Sequence, residues 1–236
     1  MRVSVIVPVF NEAELIRPFL MHLRERAPGA EIILVDGGST DGTDRRAAGV
    51  FDQLVQSERS RARQMNAGAR AAHGEILWFV HVDAELPSQC LNEIARIMDD
   101  PQVVGGYFRI RLPRGLVYRL TDGFAHYAGI LLRIRCGDHG IFCRRKLFTD
   151  VGGFPEVPLM EDVEFFRRLH RSGRVVHSKE RIAASARRYE AVGALRLTFA
   201  YGLIATLYLF GVPPSALARI YQRTCRAPHV QSILPK

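Results

Sequence analysis

A continuously apolar run at residues 76–80 restricts the fold of this chain more than any other feature. Its β-branched and aromatic bias is typical of a strand that is buried on both faces. Three polar side chains, His81, Asp83 and Glu85, follow the run, and Pro87 comes next. Because ligands of open α/β sheets bind beyond the carboxyl ends of the strands, the end of this strand is a candidate site.

Strand-like and helix-like patterns alternate through the sequence before this run. Apolar runs at 3–9 and 31–35 predict strands, and so does the segment 52–56. Helices are predicted over 12–26, over a short stretch that ends at about Gly49, and over 60–72. This alternation favours a parallel, right-handed wound sheet with helices on its faces. A chain of 236 residues, 47% of them hydrophobic, suits one large α/β domain or two small ones.

The second half of the chain is less regular. Its patterns predict helices over 88–99, 116–133 and 162–172, and strands over 103–112, 141–143 and 175–182. Ser88 is the predicted N-cap of the first of these helices.

A polar, glycine-rich stretch follows the second strand at residues 36–43. The Asp36 carboxylate can accept hydrogen bonds from a nucleobase or a ribose, and the glycines let the backbone approach a ligand closely. The stretch contains neither the GxGxxG pattern of dinucleotide-binding proteins nor a Walker A loop. A polar turn in which Ser39 or Thr40 caps a helix is an equally open interpretation.

Carboxylates at two further points suggest metal and proton chemistry. Asp83 is the best single ligand for a hard divalent cation such as magnesium or manganese. His81 or Glu85 could join it, because alternate residues of a strand point the same way. Glu161 and Asp162 lie at the start of a helix, where they could provide a general base or simply complement the helix dipole.

Together, these stretches resemble the family-2 inverting glycosyltransferases, which have the GT-A fold, over roughly residues 1–190. The matching motifs are the opening strand at 5–12, the nucleotide-binding turn at 35–43, the helix segment at 63–69 and the pair Glu161–Asp162. Gly37 stands where an Asp is common in the family. His81 takes the place of the first carboxylate of the Asp-x-Asp motif.

The loop at 137–140 is similar to the Gly-Asp-Gln-Gly loop of a subset of small bacterial enzymes, with His139 in place of Gln. The resemblance implies a GT-A nucleotide-diphospho-sugar transferase fold, with a Rossmann-like, mostly parallel sheet flanked by helices. It also implies single-displacement transfer from a nucleoside-diphosphate sugar, UDP before GDP, with inversion at the anomeric carbon. Mn²⁺ or Mg²⁺ is the implied cofactor.

The resemblance also assigns roles residue by residue. Asp162 would be the base, helped by Glu161, and Asp83 would hold the metal together with His81 or Glu85. The donor site implied by the motifs comprises Pro8, Asn11, Glu12, Asp36, Gly38, Arg63, Asn66 and Asp83. The acceptor or diphosphate side comprises Asp138, His139, Arg187 and Arg188.

A C-terminal extension over 191–236 is predicted to follow a catalytic domain over 1–190. Residues 197–212 contain no charged residue, but this run is too short for a membrane span. They could lie at a membrane interface, form a homo-oligomer interface through 193–212 or pack in the core. The sequence from Arg181 onward contains eight basic residues and one acid. This excess of positive charge favours binding to an anionic membrane surface over binding to nucleic acid.

Two other functions compete with the glycosyltransferase. A nucleotidyltransferase acting on a sugar or alcohol phosphate would share the nucleotide and metal, but the glycine-rich basic loop usual after its first strand is missing here. A non-catalytic nucleotide-sugar or membrane-binding module is the other alternative. The N-terminal run is too short for a signal peptide, which favours a cytoplasmic protein, with the inner face of the cell membrane as a further location. The four scattered cysteines form no CxxC pair, which argues against zinc.

Overall fold

A computed structural model describes residues 1–111, 134–135, 137–183 and 193–224. The strands are β1 Val3–Val9, β2 Glu31–Asp36, β3 Gln53–Gln56, β4 Ile76–Phe79, β5 Val103–Arg111, β6 Phe142–Arg144 and β7 Arg174–Ala183. The helices are α1 Ile16–Arg26, α2 Thr43–Ala47, α3 Arg61–Ala71, α4 Cys90–Met98, α5 Arg145–Asp150, α6 Glu161–Ser172, α7 Ala194–Leu209 and α8 Pro214–Thr224. A 3-10 turn spans Gly137–His139.

The seven strands form one sheet in the order β3-β2-β1-β4-β6-β5-β7. Only β6 runs antiparallel to its neighbours. The mostly parallel α/β sheet predicted from the sequence is therefore confirmed. The chain winds outward from β1 to β3 and then returns to place β4 on the other side of β1. This reversal makes the carboxyl ends of β1 and β4 a topological switch point, where a crevice opens for ligands.

Helices cover both faces of the sheet because the central strands are buried on both sides. All seven residues of β1 are buried, and alternate residues enter separate cores. Val5 and Val7 pack in the core that includes residues of α1 and α4, whereas Ile6 packs in the core that includes residues of α3 and α6. The continuous apolar runs of the sequence are explained by this double burial.

Helix α3 approaches the sheet unusually closely at Gly68. A Cβ atom at this position would lie 2.5 Å from Ile6 Cγ2 and 2.8 Å from Val35 Cγ2. The glycine therefore sets the distance between α3 and strands β1 and β2, and so the position of the residues at the start of α3.

Two helix starts differ from the sequence prediction by two residues or more. The first helix begins at Ile16 and not at residue 12, because residues 12–15 form a turn in which the Leu15 N–H donates to the Glu12 carbonyl at 3.0 Å. Ser88 is not an N-cap, since α4 begins at Cys90 after Gln89 and no side chain caps it. The helix predicted over 116–133 lies outside the described residues.

Helices α7 and α8 pack against the start of α6. Ile204, Tyr208 and Leu217 share a buried apolar cluster with Met160 and Val163, which flank Glu161 and Asp162. The C-terminal helices therefore contact the segment that carries the predicted base. The division at residue 190 into a catalytic domain and an extension stays a prediction.

Candidate active site

Pro8 marks the point where β1 and β4 separate. The pairing of these strands ends at Ile6 and Phe79, although the Val80 N–H still donates to the Ile6 carbonyl at 3.1 Å. Since backbone groups two residues apart point to the same side, Pro8 faces β4 beyond the last paired residue. The missing N–H of proline therefore removes no ladder bond, and the buried ring lines the switch point.

The loops after β1 and β2 are tied together by hydrogen bonds at the carboxyl edge of the sheet. The Asn11 N–H donates to Ser39 Oγ at 2.9 Å, and the Thr40 N–H donates to Asn11 Oδ1 at 2.8 Å. The Glu12 N–H donates to Thr43 Oγ1 at 2.9 Å. Asn11 has a φ of 53°, which turns the β1 loop toward its neighbour. These contacts give a preformed two-loop cradle at the switch point.

Asp36 organises the turn that follows β2. Its carboxylate is buried, and it accepts hydrogen bonds from the Ser39 N–H at 3.0 Å and from the Ser39 hydroxyl. Gln56 Nε2 lies 3.4 Å from the other oxygen of the carboxylate. Gly38 has a φ of 84°, which a residue with a Cβ rarely adopts. In this structure Asp36 therefore holds the cradle in shape, and its contact with a nucleoside stays a prediction.

Gln64 is a residue of the cradle that sequence reasoning missed. Its buried amide donates to the Val9 carbonyl at 2.7 Å and to the Val35 carbonyl at 3.0 Å, so it joins the ends of β1 and β2. A Cβ on Gly37 would lie 3.1 Å from Gln64 Nε2. The Gln64 amide thus fills space beside Gly37, where the family commonly has an Asp. A glutamine on the sheet-facing side of an Ala-rich helix was the available signal.

The chain turns sharply after β4, which separates His81 from Glu85. The Ala84 N–H donates to the His81 carbonyl at 3.1 Å, so residues 81–84 form a turn and not a strand. Glu85 forms a bridge with Ala183, and its exposed carboxylate lies 3.9 Å from Arg111 Nη2. Alternation along a strand therefore does not bring Glu85 to Asp83. His81 is buried, and the charge of Asp83 acts on it, whereas the second ligand beside Asp83 stays a prediction.

Asp162 is held at the start of α6 by two backbone amides. Its Oδ2 accepts from the Gly137 N–H at 2.6 Å, and its Oδ1 accepts from the Val163 N–H at 2.7 Å. Burial raises the pKa of Asp162 above its usual range, whereas the Arg61 guanidinium and the two amides oppose this rise. Asp162 is a buried carboxylate that is oriented by hydrogen bonds and has a raised proton affinity.

Glu161 lies beside Asp162 and is also buried. Burial, together with repulsion from the Asp162 charge, raises the pKa of Glu161 to about 7. Arg61 Nη1 lies 3.8 Å from Glu161 Oε1 and lowers the pKa of both carboxyls. Arg61 is a second site residue that sequence reasoning missed, because only the packing of α3 brings it to α6.

His81 lies against the loop that contacts Asp162. A Cβ on Gly137 would lie 2.6 Å from His81 Nε2, so only glycine fits between the imidazole and the carboxylate. Burial lowers the pKa of His81, and the Arg61 charge lowers it further, whereas Asp138, Asp83 and Asp162 act in the opposite direction. The end of β4, the loop at 137–139 and the start of α6 therefore form one electrostatic cluster.

Two predicted donor residues make protein contacts. Asn66 exchanges two hydrogen bonds with the Phe154 backbone, at 2.8 Å and 2.9 Å, and so fixes the loop before α6 to α3. Arg63 is ion-paired with Glu58 and lies 2.9 Å from Glu156 Oε2. These contacts position the rim of the site, and direct binding of a donor by either residue stays a prediction.

The predicted acceptor side is described in part. Asp138 is exposed, and the half-buried His139 lies edge-on to Tyr107, with 5.9 Å between the ring centroids. Arg187 and Arg188 lie outside the described residues. Within the ranges that the structure describes, no group of three or more His, Cys, Asp or Glu side chains is placed to hold a metal ion. A bound cation would therefore need ligands from its substrate.

The family model for glycosyl transferase family 2 matches residues 4–152, which contain the cradle and the end of β4. The chain belongs to this family. The resemblance seen in the sequence motifs is therefore confirmed, and so is the GT-A fold, which the structural comparisons share.

Known relatives and solved structures agree with the assignment. Glycosyltransferase AglE of Haloferax volcanii is 30% identical over 169 residues, and the match covers 65% of this chain and 56% of AglE. The chain thus spans little more than half the length of this curated relative. A mannosyltransferase from Pyrobaculum calidifontis, solved with GDP-Man and Mn²⁺, has a TM-score of 0.68 and 25% identity over 93% of this chain and 69% of its own. S. aureus TarS, solved with UDP-GlcNAc, has a TM-score of 0.61 and 21% identity over 78% of this chain and 58% of TarS, which shows the fold alone.

Proposed function

We propose that this protein transfers a sugar from a nucleoside-diphosphate sugar to an acceptor hydroxyl, with inversion at the anomeric carbon. The observation that carries the proposal is the oriented, buried Asp162 carboxylate, placed beside the end of β4 at the switch point of a family-2 fold. Inversion follows from a single displacement, in which one base and no covalent enzyme intermediate are needed.

The two-loop cradle is the proposed binding site of the nucleoside. Its backbone is fixed before any ligand arrives, because Asn11, Ser39 and Thr40 hold the two loops together. Preorganisation of this kind reduces the entropy lost on binding. UDP is the favoured nucleotide by the family resemblance, and GDP is the second candidate, since the P. calidifontis mannosyltransferase was solved with GDP-Man.

Asp83 and His81 are the proposed protein ligands of a divalent cation. One carboxylate and one imidazole suit Mn²⁺, and Mg²⁺ is the alternative. The two side chains fit a cation that completes its coordination with diphosphate oxygens and water, as is usual for nucleotide-bound metals. When bound, the cation would neutralise the charge that develops on the leaving diphosphate.

Asp162 is the proposed general base of the reaction. The acceptor oxygen forms a bond to the anomeric carbon, the bond from that carbon to the β-phosphate oxygen breaks, and the electron pair leaves with the diphosphate. The hydroxyl proton passes to Asp162, whose raised pKa makes it a stronger base than an exposed aspartate. The Gly137 and Val163 amides hold the carboxylate in one orientation during this step. Glu161 and Arg61 balance the local charge.

The acceptor that we favour is a lipid-linked hydroxyl compound. The apolar helix α7 packs beside the start of α6, so an acceptor held in an apolar phase would lie near Asp162. An exposed, polar acceptor is the alternative.

Donor binding and turnover can be tested separately. A panel of UDP- and GDP-sugars with Mn²⁺ or Mg²⁺ should stabilise the wild-type protein, by about 2.7 kcal/mol at 100 times the dissociation constant. Asp83→Ala should abolish the metal-dependent part of this thermal shift, whereas His81→Asp should keep it. A panel in which no nucleotide sugar stabilises the protein would contradict the donor site.

The Asp162→Asn variant should bind the donor normally and lose turnover by roughly 10²- to 10⁴-fold, the usual contribution of a general base. Asn at this position can still accept the Gly137 N–H, so the loop should keep its place. Glu25→Gln, which alters an exposed carboxylate on the last turn of α1, is the matched control. Undiminished turnover in Asp162→Asn would show that another group is the base, and would favour a different mechanism.

A further inference from the structure

One face of α7 exposes large apolar side chains to solvent. Phe199 is 74% exposed and Phe210, which follows the last residue of the helix, is 83% exposed; Leu203 and Leu209 are 38% and 42% exposed. Isolated exposed apolar residues are common on proteins, but a continuous apolar face on one helix marks an interaction surface. We call these four residues the α7 patch.

The α7 patch is continuous because of helical spacing. Phe199, Leu203 and Phe210 are separated by four and seven residues, so they lie along one line of the helix for roughly 16 Å. The opposite side of the helix carries Leu197, Ala200, Ile204 and Tyr208, all of which are buried against the rest of the protein. The helix is therefore apolar all round, with half of its surface used by the fold and half uncovered.

The hairpin of α7 and α8, residues 193–224, carries charge of a single sign. Residues 193–224 contain three arginines, Arg196, Arg219 and Arg223, and no acid. All three are exposed. Arg196 precedes Phe199 by three residues and so lies on the same side of the helix. An apolar face on a hairpin whose charged residues are all cations complements a surface that is apolar inside and anionic outside.

The length of α7 excludes insertion across a bilayer. Its 16 residues extend about 24 Å, which is less than the ~30 Å hydrocarbon core, and Pro213 and Pro214 follow it. Within the part of the chain that the structure describes, no helix is both long and apolar enough to span a membrane. The uncovered apolar face of α7 can instead be buried at a membrane surface, while its opposite face stays packed on the protein.

A second copy of the chain fits the α7 patch less well. A two-fold contact would bring the same residues together, so each Arg196 would meet a like charge with no acid on the hairpin to compensate. We propose that the hairpin of α7 and α8 docks this protein on an anionic lipid surface, with Phe199 and Phe210 inserted at the level of the headgroups. The proposal is independent of the sugar and nucleotide that the protein uses.

Docking through the α7 patch would orient the candidate active site. On its buried side, the Tyr208 hydroxyl bonds to Glu164, and Arg167 Nη1 lies 3.2 Å from the same hydroxyl. Glu164 and Arg167 belong to α6, which starts at Glu161 and Asp162. The lipid surface and α6 would therefore lie about one helix diameter apart, roughly 10 Å.

The test is co-sedimentation of the full chain with vesicles. Wild-type protein should bind vesicles of phosphatidylcholine and phosphatidylglycerol, and should bind pure phosphatidylcholine at least roughly tenfold more weakly, because arginines near the surface add to the apolar contact. The Phe199→Ser/Phe210→Ser double variant should lose binding to both by at least roughly tenfold. Met21→Ser removes a side chain that is 52% exposed on α1, and should bind like wild type.

A second variant keeps the test decisive if the double variant folds poorly. Arg219→Gln/Arg223→Gln leaves the apolar face intact and should weaken binding only to the anionic vesicles. The proposal is overturned if both double variants sediment with vesicles like wild type. It is also overturned if wild type binds no vesicle but forms a dimer, by light scattering, that Phe199→Ser/Phe210→Ser converts to a monomer. The thermal shift with nucleotide sugars reports on the donor site separately, and should be the same in all of these variants.

Discussion

Replacing Glu161 by glutamine should change how the stability of this protein depends on pH. The pKa of Glu161 is raised from an ordinary 4.5 to about 7, mainly by burial and then by the charge of Asp162. Each pKa unit corresponds to about 1.4 kcal/mol. The raised pKa therefore changes the free energy of unfolding by about 3 kcal/mol between low pH, where Glu161 is protonated, and high pH, where it is ionised.

The sign of the effect follows from proton binding. Between pH 4.5 and about 7 the folded protein keeps a proton on Glu161 that the unfolded chain has released. The stabilising contribution is therefore fully present below pH 4.5, and it is lost as the pH rises through about 7. The glutamine side chain of the Glu161→Gln variant does not titrate, so the free energy of unfolding of the variant relative to wild type should rise by about 2–3 kcal/mol between pH 5 and pH 8.

Urea unfolding of both proteins at the two pH values measures this difference. Glu14→Gln is the control, because Glu14 is exposed on the surface before α1. If Glu161→Gln and wild type keep the same stability difference at both pH values, Glu161 is not a buried group with a raised pKa. The electrostatic description of the pair Glu161–Asp162 would then fail.

Two further predictions concern the packing around the cradle. Gln64→Leu should lower the free energy of unfolding by about 2–4 kcal/mol, because two buried carbonyls at the ends of β1 and β2 lose their partner. Gln102→Leu on the surface is the control. Equal losses of stability in urea for both variants would show that the Gln64 hydrogen bonds do not stabilise the cradle. Gly68→Ala should cost about 1–3 kcal/mol through overpacking against the sheet. Gly202→Ala, in the open part of α7, should instead be neutral or stabilising by up to about 1 kcal/mol, so similar losses in both would refute the close approach of α3.

The sequence identified the elements of the fold because their signals are local. Continuous apolar runs predicted β1, β2 and β4, and those strands are buried on both faces. Turn residues and polar strand ends also placed Asp36 and Asp83 near the carboxyl edge of the sheet, since parallel strands end on the same side. The role of Asp162 was implied by the family resemblance. The ordered motifs indicated the family, which the family model confirms.

Local signals could not show which side chains meet. Glu85 and His81 are equivalent in an alternating strand, but the turn at 81–84 directs Glu85 to Arg111 and leaves His81 buried. Asn66 looks like a ligand-binding amide, whereas its partner is the Phe154 backbone, 88 residues further along the chain. Gln64 lies within the matched helix motif at 63–69 and on its sheet-facing side, but neither signal shows that its amide joins the Val9 and Val35 carbonyls.

Residue types and spacing thus determined the strands, the helices and the position of the candidate site at the switch point. The tertiary structure alone decided how the carboxylates there are charged, because burial and the approach of Arg61 from α3 set the proton affinity of Glu161 and Asp162. It also decided which half of α7 is covered. A helix that is apolar all round has no sequence signal for its buried side, and only packing against Met160 and Val163 leaves Phe199 and Phe210 exposed.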